Sequence, residues 1–464
     1  MRYVSTRGQA PVLPFEETLL AGLARDGGLY IPDELPMLSR EMLSGLAGAS
    51  FETVATRVLH PFVEGCVGED EFAAMIERAY AGFGHALRCP LVQIGPNDWV
   101  LELHHGPTLA FKDVAMQLIA QLFAHVLGRR GERITIVGAT SGDTGSAAIE
   151  AFRASPVADV FVLYPHGRVS EVQRRQMTTP TDPNVHALAV EGTFDDCQAL
   201  LKAMFNDFAF RDEVGLGAVN SINWGRVMAQ TVYYITAALS LGAPARAVSF
   251  SVPTGNFGDI YAGHVARGMG LPIEQLVIAT NENDILHRCF VTGRYDKADV
   301  VPTTSPSMDI QVSSNFERAL FEAYDRDGSA ILAVMQDLAA EGAFEVSEPA
   351  ISKLRASFIS ARVSQAEVAE TIRWVLEQTG QLLDPHSAIA VHGAGQKRGR
   401  DSTPMISLAC AHAAKFPDAV EAACGIRPTL PSRMADLYER DERVTVVPND
   451  LAEIESLIRE RRTK

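Results

Sequence analysis

The sequence predicts an α/β chain built on a mainly parallel sheet with crossover helices, and three observations carry that expectation. From about residue 100 onward, short β-branched runs alternate with stretches of helical apolar periodicity, the pattern of successive strand–helix–strand units. Four small-residue loops each follow an expected strand at its carboxyl end, where open α/β sheets place ligands. The chain has 464 residues, 47% hydrophobic and 21% charged, so two or three domains with a full-sized core are expected and extended disorder is not.

In chain order, the first ninety or so residues read as mostly helical, at 15–25, 40–47, 51–63 and 69–82, and form a separate N-terminal element. A helix follows the Gly106-Pro107 turn, its buried face marked by Leu109, Val114, Leu118, Ile119, Leu122 and Val126 at i, i+3, i+4 spacing. Strands are expected at 134–137, 160–163, 248–252, 276–279, 388–391 and 406–409, with helices at 146–153, 195–207, 225–241 and 259–268 between them. The apolar stretch from Val227 to Ala243 stops at Pro244 and contains Gln230, which favours a buried core helix over a membrane span. Residues 313–378 read as helical with no strand signal, like an insertion into the α/β body. Residues 393–403 read as a polar loop whose basic cluster is a solvated surface.

Composition excludes several classes of partner. The net charge of −16 argues against nucleic acid, because phosphate binding needs a basic surface that releases counterions. An anionic substrate must then be captured by a locally basic pocket. Six cysteines (Cys66, Cys89, Cys197, Cys289, Cys410 and Cys424) contain no C-x-x-C pair, so neither a zinc site nor a disulfide framework is indicated. Met1 to Gly8 carries two arginines with no apolar run after them, so no signal peptide is expected and the setting is cytoplasmic.

The chemistry is written in the loops. Lys112 lies in a first helical turn just behind the Gly-Pro turn, facing the positive end of the macrodipole, with Phe111 as a desolvating wall. Both effects lower its pKa and favour the free amine that a Schiff base requires, although an arbitrary lysine more often snorkels along the surface. The loop Gly138-Ala-Thr-Ser141-Gly142-Asp143-Thr144-Gly145-Ser146 is neither a P-loop nor a dinucleotide fingerprint, and reads equally as an anion site or a turn with an N-cap. The loop Pro253-Thr254-Gly255-Asn256-Phe257-Gly258-Asp259 opens a helix with two glycines around an Asn-Phe pair, a backbone cradle suited to a phosphate monoester. Residues 279–284 read as an N-cap without assigned function, and the fourth loop, Leu408 to Phe416, puts the small polarisable Cys410 at a strand end. An imine-forming lysine, a lysine-free phosphate cradle and no metal ligands together point to pyridoxal 5'-phosphate.

These motifs resemble the threonine synthase family, in its group with a long N-terminal region, within the fold type II pyridoxal-phosphate enzymes related to the tryptophan synthase β-subunit. The resemblance spans almost the whole chain: Tyr3-Val-Ser-Thr-Arg-Gly8, Gly22-Leu-Ala-Arg-Asp-Gly-Gly-Leu-Tyr-Ile-Pro32, His105-Gly-Pro-Thr-Leu-Ala-Phe-Lys-Asp113, Ala139-Thr-Ser-Gly-Asp-Thr-Gly145, Ser221-Ile-Asn-Trp-Gly-Arg226, Pro253 to Asp259, Ser307-Met-Asp-Ile310, and Ala411-His412 with Lys415-Phe416. It implies two open, mainly parallel α/β domains around a central cleft, a helical N-terminal domain (1–92) and a helical insertion (about 313–378). The larger cofactor domain would comprise 93–130 and 215–464, and the smaller one 131–214.

The resemblance also implies that Lys112 carries the cofactor as a Schiff base and becomes the base at the substrate Cα. Gly255, Asn256, Phe257, Gly258 and Asp259 would hold or flank the cofactor phosphate, and Ser141, Gly142, Asp143, Thr144 and Gly145 would receive the substrate α-carboxylate. Cys410 stands where the family usually has threonine facing the pyridine nitrogen, and Ala413 replaces a frequent proline. The implied reaction converts O-phospho-L-homoserine and water into L-threonine and phosphate. Asn223, Arg226 and Ser141 are the expected donors to the leaving phosphate, with a surface salt bridge the competing reading of Arg226. The protein is expected to act as a monomer or homodimer, without nucleic acid or membrane. Two rival readings remain: another enzyme of this fold (a serine/threonine dehydratase or β-replacing synthase), and a non-catalytic binding relative that keeps the cofactor.

Overall fold

The computed structural model describes residues 1–463. Two mainly parallel sheets form its body. The larger runs, edge to edge, through Ile359–Arg362, Ile273–Thr280, Val248–Pro253, Met405–Ala409, Asp98–Glu102 and Leu91–Gln93. All its neighbours are parallel except the last pair, where Leu91–Gln93 runs antiparallel. The smaller runs through Thr445–Val447, Val185–Val190, Ala158–Pro165, Ile134–Ala139 and Leu216–Gly217, all parallel. The α/β class is as the sequence predicts. Its central strands are buried on both faces, as parallel strands under crossover helices must be.

Two helices tie the body together. Trp224–Ser240 buries 15 of its 17 residues, including Gln230, so it lies in the core and not on a surface. It packs against the Phe51–Val63, Lys112–Arg130 and Gly258–Gly268 helices. Lys112–Arg130 ends at Gly131 in the left-handed conformation (φ +67°), with Arg129 and Arg130 in its last turn where the macrodipole favours cations.

The N-terminal region is less purely helical than its sequence reads. Arg2–Ser5 pairs antiparallel with both Leu13–Pro14 and Tyr30–Pro32, forming a small three-stranded sheet. Tyr3 anchors that sheet: its ring packs with Phe15 and Trp224, and its hydroxyl donates to the Phe62 carbonyl (2.8 Å). Arg7 pairs with Glu317 (3.0 Å), and the buried Arg318 donates to the Tyr30 carbonyl. The N-terminal segment is thereby clamped to the 313–378 region, and Arg7, Gly27 and Leu29 reach the central cavity.

Several expectations are corrected. Residues 388–391 are not a strand but the middle of the Pro385–Lys397 helix, started by Asp384, which accepts from the His386 and Ser387 amides. An apolar run of four cannot by itself separate strand from buried helix, and the Asp-Pro start was the overlooked cue. The same helix absorbs 393–397 of the expected polar loop. Residues 313–378 contain two strands: Ala343–Glu345 pairs with Arg294–Asp296, and Ile359–Arg362 forms an edge of the larger sheet. The chain also ends in the smaller sheet. Thr445–Val447 lies beside Val185–Val190, and Val447, Ile454 and Ile458 share a core with Val137, Phe161 and Leu188. Residues 445–461, expected with the larger domain, therefore pack with the smaller one, as does Leu216–Gly217.

Candidate active site

A cavity of about 880 Å³ opens where the carboxyl ends of both sheets meet. Lys112 enters it as the first residue of its helix. The approach to Lys112 is tightly built. Asp113 accepts from the Thr108 amide (2.8 Å) and hydroxyl (2.7 Å), and a Cβ on Gly106 would collide with the Asp113 side chain. Leu109 is held at φ +62°, a conformation rare for a bulky residue, between the Gly106 and Lys112 turns. The Phe111 amide donates to the Cys410 carbonyl (2.7 Å) and the His412 amide to the Leu109 carbonyl (3.0 Å), so the lysine and cysteine loops are laced together.

Lys112 itself is 7% exposed, its Nζ 4.9 Å from the Phe111 ring centroid and 3.2 Å from Asp143 Oδ2. Burial lowers its pKa, with the cations of Lys415 and Arg226 adding to that and the Asp143 carboxylate opposing it. This is the environment of an amine that gives up its proton readily.

The 255–259 loop is an anion cradle in its backbone. Ser313 Oγ donates to the Gly255 carbonyl (2.7 Å), and the Asn315 amide to that of Asn256 (3.0 Å). Among the described residues, the amides of Gly255, Asn256, Phe257 and Gly258 have no acceptor, and the Gly258–Gly268 helix has no side-chain cap. Carbonyls held behind and amides free in front are what an anion at a helix start requires. Phe257 sits at φ +65° with its ring buried against Phe316 and Phe358. A Cβ on Gly255 would lie 3.1 Å from the Ser307 carbonyl oxygen, and one on Gly258 3.3 Å from the Asn315 amide nitrogen. Packing behind the loop therefore already disfavours a side chain at both glycines. Asp259 accepts from the Tyr233 and Tyr234 hydroxyls, and its other oxygen has no partner. Burial pushes its carboxyl up to about 6.

The 141–145 loop is built differently. Thr140 Oγ1 accepts from the Gly142 and Gly145 amides (both 2.9 Å). Gly142 sits at φ +140°, and a Cβ there would overlap the Gln173 amide, so only glycine fits. Asp143 contacts Lys112, Lys415 (2.8 Å) and Gln173 (2.8 Å). Burial pushes its carboxyl up, but the two ammoniums outweigh this and hold it well below the usual carboxylate range. The Asp143 side chain is thus taken up by cations, which leaves the backbone amides and hydroxyls of the loop for the expected α-carboxylate. Ser141 and Thr144 line the cavity with hydroxyls that make no hydrogen bond among the described residues.

Arg226 is not on the surface. It is 4% exposed, lines the cavity, and its Nε and Nη1 have no partner. Burial lowers its pKa to about 10. Asn223, expected beside it, is structural: its amide donates to the Leu19 and Ala218 carbonyls and its oxygen accepts from the Gly225 amide, capping the helix. Cys410 lies at the cavity wall, 6% exposed, with burial pushing its thiol well above the usual range.

Sequence reading missed two groups. Lys415, wholly buried, is signalled only by being a lone cation in an apolar stretch. His386 has Nδ1 2.7 Å from Asp384 and a buried, unpartnered Nε2, and it lines the cavity. The Asp-Pro-His-Ser helix start was its available signal.

Comparisons with known proteins match the whole chain. A family model described as Threonine synthase N terminus matches residues 2–80, one for Pyridoxal-phosphate dependent enzyme residues 87–348, and one for Threonine synthase, C-terminal residues 387–458. The chain is 54% identical over 459 residues to the threonine synthase of Pseudomonas aeruginosa, covering 99% of this chain and 98% of that one. It is 44% identical to that of Schizosaccharomyces pombe, covering 91% and 89%. Among solved structures, the pyridoxal-phosphate-bound threonine synthase from Brucella melitensis superposes with a TM-score of 0.97 at 57% identity, covering 100% of both chains. The yeast enzyme superposes at 0.94 with 39% identity, covering 99% and 98%.

Proposed function

The chain belongs to the threonine synthase family, and from that premise we infer how its cavity divides the work of the reaction. It is a pyridoxal-phosphate-dependent lyase that converts O-phospho-L-homoserine and water into L-threonine and inorganic phosphate. When bound, the cofactor supplies an electron sink for negative charge developing on substrate carbon. The residues present fit that group. A buried amine of lowered pKa faces the cavity, and uncapped helix amides stand ready for a phosphate.

Lys112 holds the cofactor and afterwards moves a proton at the substrate Cα. The amides of Gly255, Asn256, Phe257 and Gly258 bind the cofactor phosphate, with Asp259 behind them hydrogen-bonded to Tyr233 and Tyr234. Cys410, at the cavity wall, would face the ring nitrogen, where a thiol, unlike a carboxylate, would not hold a proton on it. The Ser141 and Thr144 hydroxyls, with the glycine backbone beside them, orient the substrate carboxylate. Arg226 receives the leaving phosphate: it is the one member of the expected donor set with unpartnered buried N–H groups, and developing phosphate charge is stabilised by such a preplaced cation.

The observation that carries this reading is Lys112, a buried lysine at the first position of a helix, facing an uncapped helix start across one cavity. No helix of the described residues is long and apolar enough to cross a membrane. We place the protein in the cytoplasm as a monomer or homodimer, in keeping with its six free cysteines and its charge. The test is to supply pyridoxal 5'-phosphate and O-phospho-L-homoserine and to follow phosphate and threonine together. Equal release of both is expected. Phosphate with 2-ketobutyrate instead of threonine would favour a dehydratase of the same fold, and cofactor uptake without either product would favour a non-catalytic binding protein.

A further inference from the structure

The most unusual charge arrangement in the cavity is two buried lysines sharing one buried carboxylate. Lys415 is 0% exposed, Asp143 3% and Lys112 7%. Asp143 Oδ1 lies 2.8 Å from Lys415 and 2.8 Å from Gln173, while Oδ2 takes Lys112 at the longer 3.2 Å. Lys415 also donates to the Thr108 carbonyl (2.8 Å), which receives a second bond from Gln176 (3.0 Å). Three charged groups, two of one sign, lie close together and almost fully buried, so the charges on Asp143 and Lys415 both act on Lys112.

The three come from different parts of the fold. Lys415 follows the Met405–Ala409 strand of the larger sheet, and Asp143 opens the helix after the Ile134–Ala139 strand of the smaller one. Their contact therefore spans the cleft, and Gln176 reaching to Thr108 spans it again from the Glu171–Thr178 helix. We propose that Lys415 is a positioning residue: by engaging Asp143 from behind, it holds that carboxylate across the cleft at a fixed offset from Lys112 and sets how readily the Lys112 amine gives up its proton. This rests on the reading of Lys112 as the reacting amine. A carboxylate paired with Lys112 alone would grip the ammonium and make it a poor base. With Lys415 and Gln173 on the nearer oxygen, Asp143 orients Lys112 while part of its attraction is offset by the second cation.

The proposal is read directly from Lys112 in the full chain freed of cofactor. Competitive acetylation with acetic anhydride across pH, followed by peptide mass spectrometry, gives the pH at which Lys112 is half-reactive. Lys415→Met is expected to raise that midpoint by about 1–3 pH units, the range for a neighbouring charge, and Lys415→Arg to bring it back toward the parent. Asp143→Asn is expected to move it the other way, downward, because the carboxylate is lost while Lys415 and Arg226 remain. In cofactor-loaded protein, where Lys112 becomes a free amine only after substrate has bound, the acidic limb of kcat for phosphate release from O-phospho-L-homoserine moves to higher pH in Lys415→Met and returns in Lys415→Arg. An unmoved or lowered midpoint in Lys415→Met overturns the proposal. Should that variant fail to fold, Asp143→Asn decides alone, and a midpoint unmoved or raised there is equally fatal. A parent protein that releases no phosphate would sink the proposed reaction and leave the acetylation midpoints to judge this inference on their own.

Discussion

Asp143 and Asp259 occupy matching places on opposite sides of the cleft. Each follows a glycine, lies in the first turn of a helix that succeeds a parallel strand, and is buried. The helix dipole favours a carboxylate at both places alike. Yet Asp143 is held far below the ordinary carboxylate range and Asp259 is pushed up to about 6. Burial acts upward on both; the difference is company. Asp143 has two ammoniums within hydrogen-bond reach, whereas Asp259 has two phenols and an oxygen with no partner. One Gly-Asp junction thereby anchors the reactive amine. The other holds its carboxyl between two phenols beside a cradle whose amides have no acceptor. Identical local grammar sets the backbone, and tertiary neighbours set the charge.

Removing the cation on the Asp143 side is expected to have the largest effect. Lys112→Ala lowers phosphate release by at least about 1,000-fold, because anchor and proton carrier vanish together, while Lys415 still satisfies Asp143 and the fold persists. A phosphate assay beside a circular dichroism spectrum checks both halves. Near-parent turnover would put the reacting amine elsewhere.

Arg226 sharpens the contrast from the cavity wall. Arg226→Met is expected to cost about 100- to 1,000-fold in kcat, the scale for losing one preplaced donor to developing charge. It should not lower the melting temperature of the cofactor-free protein, since it removes a buried guanidinium that lacks a partner. Parallel loss of activity and stability would instead mark Arg226 as part of the scaffold.

The two aspartates themselves predict opposite pH dependences. Asp259 has its folded pKa raised, so its contribution to stability is full below about 4 and is lost as pH rises through about 6. In cofactor-free protein this group alone should cost on the order of 1–3 kcal/mol between pH 4 and 7, and Asp259→Asn should remove that share. Asp143 has its folded pKa depressed, so its contribution is present above about 4 and lost only in strong acid, and Asp143→Asn is most damaging at neutral pH. Urea titrations of both variants and the parent at several pH values give the slopes. Slopes of the same sign for both variants would dissolve the comparison.

The smallest effect is expected at Cys410. Cys410→Thr should change kcat by less than about tenfold, the range of one neutral hydrogen bond. Cys410→Asp should be far worse, since burial already raises the thiol's pKa and a fourth buried carboxylate would join Asp259, Asp384 and Asp143, all of which raise it further. A threonine variant without activity, alongside an active aspartate variant, would show that Cys410 does not face the ring nitrogen.

Much of this was legible in residue order. Glycine placement, β-branched runs and apolar periodicity are local, and they located the 255–259 loop, the Lys112 helix, five of the six expected strands and all four helices between them. Where the signal was short or shared, it failed: residues 388–391 read as strand until the Asp384 cap and Pro385 made them helix, and Ile359–Arg362 is too brief and too polar at its end to announce an edge strand.

What the sequence determined by itself was the α/β class, and it singled out Lys112 and the 255–259 loop as proposed amine and cradle, because each depends on neighbours within one turn or one strand. What only the tertiary structure decided was who faces whom. Asn223 and Arg226 sit three residues apart, yet one has its whole amide bonded to backbone and the other is buried without a partner. Lys415 lies more than 270 positions from Asp143 and touches it. Contacts of that span are chosen by how the two sheets close, and unscreened charge in a buried cleft makes them decisive.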